Sequence, residues 1–316
     1  MRFLALLACL LGFAAAAQEW PAKPVRIIVP FPPGGSADLL PRAVAEKLAS
    51  RWGQPVIVEN RPGAAGNIGA DAVFRAEPDG YTLMSSPPPP LVINKSLYPK
   101  LSYDPDEFVP ITVIGAIPNV LLVHPKVPAN TVQELIAYAK ANPGKLNYAS
   151  QGNGTTSHLT AELFKAMAGG LQIAHIPYKG TAPALTDLLG GQVDMMCDNL
   201  GVSLPHVRSG KLKALAIASK KRFPALPDVP ALAETLPGFE ATAWFGIVAP
   251  PKTSGAIADK VAVGVQDALK LADVRKRLAD LSAEPLGYSP AQTAAFMRQE
   301  VERWSAVIRT AGVKLE

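Results

Sequence analysis

Three glycine-rich runs carry the residues in this chain best suited to chemistry: Pro32-Pro33-Gly34-Gly35-Ser36, Gly63-Ala64-Ala65-Gly66-Asn67 and Gly152-Asn153-Gly154-Thr155-Thr156. Each follows a β-rich run and precedes a helical pattern. A helix N-terminus leaves N–H groups unpaired and presents a positive dipole end, so three such loops around one cleft favour a carboxylate or phosphate. Taken singly, each loop reads equally well as a strand-to-helix turn in which Gly supplies an unusual φ and Ser or Thr starts the helix. Their number points to anion binding.

Other chemistries lack their residues. The third run resembles a dinucleotide fingerprint, but Ser157 replaces the third glycine and the next strand ends in Pro177-Tyr178-Lys179 with no acid for a ribose. No nucleotide or other cofactor is expected. His124, His158, His175 and His206 have neither H-x-x-H nor H-E-x-x-H spacing, so no metal site is expected. There is no G-x-S-x-G elbow, and Ser157 and His158, adjacent on a helix, diverge by about 100°. The rival reading is a secreted hydrolase or lyase using Asp38, Asp198 or His158 as acid or base. Tyr178 and Lys179 read either as a strand edge or as cleft residues in which Lys179 raises the positive potential. Asp198 reads either as a ligand contact through water or as a loop or helix cap.

The elements that must position these loops alternate. Short β-rich runs at 25–30, 55–59, 81–85, 146–150, 173–178, 193–197 and 214–219 are bounded by Gly, Pro or Asn. Between them lie helical patterns. Leu40, Val44 and Leu48 share a face of a helix over 36–51, with Asp38 as candidate N-cap. Thr131 with Glu134, and Ser289-Pro290 with Gln292, have capping spacings, and the last helix carries a stripe of Phe296, Val301, Trp304 and Ile308. The alternation predicts an α/β fold of mainly parallel sheets flanked by helices, with ligands beyond the carboxyl ends of the strands. Apolar segments 109–123 and 244–249 read as strands crossing between two lobes.

The 316 residues are 48% hydrophobic and carry a formal charge of +5, with Lys and Arg dispersed, which disfavours nucleic-acid binding. Residues 1–17, with Arg2, an apolar stretch and Ala15-x-Ala17, read as a signal peptide cleaved near Ala17, sending the chain to a periplasm. Of two cysteines, Cys9 leaves with it and Cys197 reads as an inert core residue. No intrachain disulfide is then possible.

Four ordered motifs make a family resemblance specific: 30–38 (PFPPGGSAD), 60–69 (NRPGAAGNIG), 146–150 (LNYAS) with 152–158, and 177–180 (PYKG). Together with Leu97-Tyr98-Pro99-Lys100, 188–192 (LLGGQ) and Trp244-Phe245-Gly246, they resemble the Bug (TctC-like) family of periplasmic solute-binding proteins of tripartite tricarboxylate transporters, over nearly the whole mature chain. The resemblance implies a two-lobed venus-flytrap binder of small carboxylates without catalysis, with lobe I at 18–117 and 242–316 and lobe II at 118–241. It implies a monomer whose partners are the membrane components of the transporter, or a sensor kinase. Carried onto this chain, the ligand contacts are Gly63, Ala64, Ala65 and Gly66 in the first lobe and Ser150, Gly154, Thr155 and Thr156 in the second. Phe31, Gly34, Gly35, Ser36, Ser85 and Ser86 shape the rest of the pocket, with Tyr178 and Asp198 as further candidates. One departure is Pro87-Pro88-Pro89-Pro90, which reads as a rigid polyproline-like segment without N–H donors and leaves the ligand's identity open.

Overall fold

A computed structural model describes residues 20–314, so the expected signal peptide at 1–17 lies outside the described residues. Among the described residues ten strands form one curled sheet: β1 (Val25–Val29), β2 (Val56–Asn60), β3 (Thr82–Ser86), β4 (Val109–Val123), β5 (Asn147–Ser150), β6 (Ala174–Pro177), β7 (Met195–Asn199), β8 (Lys213–Ile217), β9 (Thr242–Ala249) and β10 (Glu284–Pro285). The order is β2-β1-β3-β9-β4-β7-β5-β6, with β8 and β10 also paired to β4. Pairing is parallel at both flanks, where helices connect the strands, and antiparallel around β4 and β9. The fold is a two-lobed α/β architecture with helices on the sheet's faces.

The 15-residue β4 serves two halves of this sheet. Its residues 109–118 register with β9, and Asn119–Val123 with β7. Register shifts between Pro110 and Thr112 and between Val113 and Gly115 show bulges, which bend and twist a long strand.

Period-two alternation builds a core on each face. Val25, Ile27 and Val29 join Leu40, Val44 and Leu48 on one face, while Ile28 joins Trp304 and Phe164 on the other. The last helix (Pro290–Ala311) is opened by the expected capping box between Ser289 and Gln292. Trp304 and Ile308 of its stripe are buried and Phe296 and Val301 are partly so. Buried Glu300 accepts the indole N–H of Trp244 at 2.6 Å and of Trp304 at 3.1 Å, and pairs with Arg303, tying this helix to β9.

Two expectations are corrected. The helix Ser36–Trp52 is capped by Gly35, and Asp38 lies inside its first turn. There the carboxylate accepts the Gly34 N–H at 3.1 Å, Arg42 at 2.8 Å and Asn60 at 2.9 Å. Burial alone would raise the Asp38 carboxyl, but these donors hold it below its ordinary value. Residues 87–90 are not polyproline-like: Pro88 is helical and the run opens a π-turn, Pro89–Ile93, with Leu91 and Val92 donating to the Pro88 carbonyl. Prolines fit the start of a helical turn because N–H groups there have no intrahelical acceptor.

Candidate functional site

Four strand-to-helix connections meet at one point. β1 leads into Ser36–Trp52, β5 into the helix Thr156–Met167, β6 into Thr181–Leu189 and β7 into Leu200–Arg208. Gly35, Ser36, Thr156, Thr181 and Asn199, all at the starts of these helices, line an enclosed niche of about 20 Å³ with Phe31, Pro87, Gln151 and Phe245. That is room for about one water or a small polar head. No charged side chain lines it. The Ser36 hydroxyl is buried beside it and has no hydrogen-bond partner among the described residues, a situation that costs about 1–3 kcal/mol until an acceptor arrives. Positive dipole ends and a spare donor therefore face a space without a cation.

The niche adjoins a larger cavity of about 560 Å³ through Phe31, Pro32, Gln151 and Gly180, which border both. Its walls include the 63–66 loop, Tyr98, Gly152, Asn153, Thr155, Tyr178 and Lys179. Gly63, Ala64, Ala65 and Gly66 all have positive φ, at 137°, 48°, 50° and 92°. For the two alanines this is a strained conformation, of the kind that collects at ligand clamps. Gly63 is disfavoured for substitution by its φ rather than by crowding, because the atom nearest an added Cβ, at 2.4 Å, is Cδ1 of the exposed and movable Ile68.

The structure brings ten of the sequence-derived candidates to these two spaces. Phe31 borders both, Gly35, Ser36 and Thr156 face the niche, and Gly63, Ala64, Ala65, Gly66, Thr155 and Tyr178 face the larger cavity. The remaining six line neither. Gly34 turns its N–H to Asp38. Ser85 and Ser86 lie buried in β3, with Ser86 donating to the Pro87 carbonyl at 2.9 Å. The Ser150 hydroxyl is 2.6 Å from His175 Nε2 and accepts from the Gly152 N–H, and the Gly154 N–H is taken by His158 Nδ1 at 3.1 Å. Asp198 is wholly buried, accepting from Gln151 at 2.8 Å and Ser203 at 2.6 Å, with burial pushing its carboxyl up to about 6. Gly34, Ser150, Gly154 and Asp198 brace the loops that form the walls, whereas the Ser85 hydroxyl has no hydrogen-bond partner among the described residues.

Thr155 combines both roles. It caps Thr156–Met167, accepting from the His158 N–H and donating to the Gly152 carbonyl at 2.7 Å. Tyr178 is fixed by a 2.6 Å bond to Asp187. Behind the 150–155 loop, Tyr148, His175 and His158 stack, with the two imidazole centroids 4.2 Å apart. Burial lowers His158 to about 4 and His175 to about 3, with Lys165 adding to the first and His158 to the second, so both rings are neutral near pH 7. Cys197 is buried and its thiol pushed up by burial.

Residues missed from sequence include Gln151, Thr181, Asn199, Tyr98 and Phe245. Thr181 and Asn199 each begin a helix after a strand, the same signal that singled out Ser36. Tyr98 and Phe245 come from distant segments, and the sequence marked them only as members of family motifs, with no ligand contact assigned. Among the described residues no group of three His, Cys, Asp or Glu could hold a metal ion, and no helix is long and apolar enough to cross a membrane.

Comparison with known proteins places this geometry. The family of tripartite tricarboxylate transporter receptors, TctC, matches residues 40–313. Protein BugT of Bordetella pertussis is 42% identical over 310 residues, covering 96% of this chain and 95% of that one. Among solved structures, Rpa4515 of R. palustris with adipate is 38% identical with a TM-score of 0.89, covering 93% of this chain and 99% of that one. MatC from Rhodopseudomonas palustris with bound malate is 36% identical with a TM-score of 0.86, covering 92% and 100%. The periplasmic binding protein BugD is 37% identical with a TM-score of 0.88, covering 94% and 100%. These relatives are solute-binding proteins rather than enzymes, and the chain belongs to their family, the TctC or Bug receptors of tripartite tricarboxylate transporters.

Proposed function

We propose that this chain is a periplasmic receptor that captures a small carboxylate between two lobes and delivers it to a tripartite tricarboxylate-type transporter. Lobe I comprises 18–117 and 242–316, lobe II comprises 118–241, and the leader is removed near Ala17. One observation carries the reading: helix starts from both halves of the sheet converge on a niche without charged side chains, beside the unpartnered Ser36 hydroxyl. The adipate and malate named with two relatives support a carboxylate ligand.

A carboxylate entering the niche meets N–H groups at the starts of Ser36–Trp52, Thr156–Met167 and Thr181–Leu189. Each dipole contact contributes about 0.3–1 kcal/mol when exposed and up to about 2 kcal/mol when partly buried. Three such contacts supply a large share of the roughly 8 kcal/mol that micromolar binding requires. Because the donors come from both halves, the acid prefers the closed arrangement, as a closing signal demands.

Ser36→Ala tests this. Calorimetry should show acid affinity falling about ten-fold, while the urea midpoint holds or rises because an unsatisfied buried hydroxyl has gone. Unchanged affinity would remove Ser36 and its niche from the binding site.

A further inference from the structure

The larger cavity has one charged side chain in its walls, Lys179. It is exposed and makes no ion pair or hydrogen bond among the described residues. Its position is electrostatically poor for a cation, two residues before Thr181, the first residue of the helix Thr181–Leu189, whose positive end disfavours an ammonium. The acids bonded to other wall residues are engaged there: Asp187 accepts from Tyr178, and buried Asp198 from Gln151 and from Ser203. Between the niche and Lys179 the walls offer the ring of Phe31, Pro32 and Gly180, with no compensating anion.

We infer that Lys179 is a specificity-determining residue that receives the second anionic group of a dianionic ligand whose first carboxylate occupies the niche. This rests on the binding reading proposed above. The reach is short: Gly180 borders both spaces, and two residues of backbone span at most about 7 Å. The ligand that fits is a compact α,ω-dicarboxylate with an apolar middle passing Phe31. Because Lys179 is exposed, screening limits its effect to a preference of about three- to ten-fold that weakens with salt.

The test titrates the wild-type chain, Lys179→Met and Lys179→Arg calorimetrically with straight-chain α,ω-dicarboxylates and with monocarboxylates of equal chain length, at low and high salt. The wild type should prefer one dicarboxylate over its monocarboxylate partner by about three- to ten-fold at low salt. Lys179→Met should abolish that preference, with dicarboxylate affinity falling by more than monocarboxylate affinity, while Lys179→Arg keeps it. Equal affinity for both acids in the wild type, or a preference that survives in Lys179→Met, overturns the inference and leaves the carboxylate niche standing. Failure of every acid to bind the wild type overturns both.

Discussion

Gly35→Val is the sharpest perturbation of the niche. Gly35 follows β1 and faces Thr181, which follows β6 in the other half of the sheet. A Cβ on Gly35 would lie 3.3 Å from Thr181 Oγ1 and 3.8 Å from Thr181 Cβ. Its φ of −88° and ψ of 172° suit any residue, so the substitution brings no backbone strain. Valine adds two methyl groups beyond that Cβ, and overpacking of this kind costs about 1–3 kcal/mol. If the approach of Gly35 to Thr181 belongs to the ligand-bound form, that cost falls on closure and weakens binding about five- to 150-fold. Loss of the glycine cap should lower folding stability by no more than about 1 kcal/mol. Calorimetry with the preferred acid, alongside urea unfolding, separates the two effects. Wild-type affinity in Gly35→Val would refute the idea that this contact forms around the ligand.

Two further predictions concern stability. His158 and His175 titrate at about 4 and 3 when folded, against an ordinary 6.5, so below pH 6.5 the unfolded chain takes up protons that the folded chain does not. Each histidine therefore removes about 1.4 kcal/mol per pH unit as pH falls from 6.5 towards 4. Asp198, raised to about 6, works in the opposite direction over pH 6 to 4 and offsets one of them. Urea unfolding should give a stability about 2 kcal/mol lower at pH 5 than at pH 7, and an equal or higher value at pH 5 would contradict the neutral histidine pair. Glu300→Ala strands the indole N–H groups of Trp244 and Trp304 and the charge of Arg303, and should cost about 3 kcal/mol by urea unfolding. A loss below about 1 kcal/mol would show that Glu300 does not tie the last helix to β9.

The parts of this molecule written locally in the chain were legible from its sequence. Apolar runs bounded by Gly and Pro mark β1, β2, β3 and β5 within a residue or so, and 109–123 coincides with β4. Capping pairs mark two helix starts because a cap needs only residues three positions apart. Phe31, the 63–66 loop and Thr155 are visible because a loop after a strand that opens a helix has a compositional signature. What stays hidden depends on the third dimension. Nothing near Ser150 in the chain reveals that His175, 25 residues on, engages its hydroxyl. Asp198 reads as a water-mediated ligand contact or a cap until its bonds to Gln151 and Ser203 are seen. Residues 87–90 mislead because proline suits both polyproline and the first turn of a helix, and the buried setting selects the latter. Tyr98 and Phe245 belong to family motifs, but nothing in those motifs reports that their distant segments reach the cavities.

The central claim is that the niche between the helix starts holds a carboxylate, unaltered. Calorimetric titration of the chain from Gln18 onward with a panel of carboxylic acids and their primary amides, followed by mass spectrometry of the recovered compound, tests it most directly. The account predicts one-to-one, saturable binding of an acid, recovery of that acid intact, and negligible binding of its uncharged amide. Equal binding of acid and amide, or consumption of the acid, would contradict it.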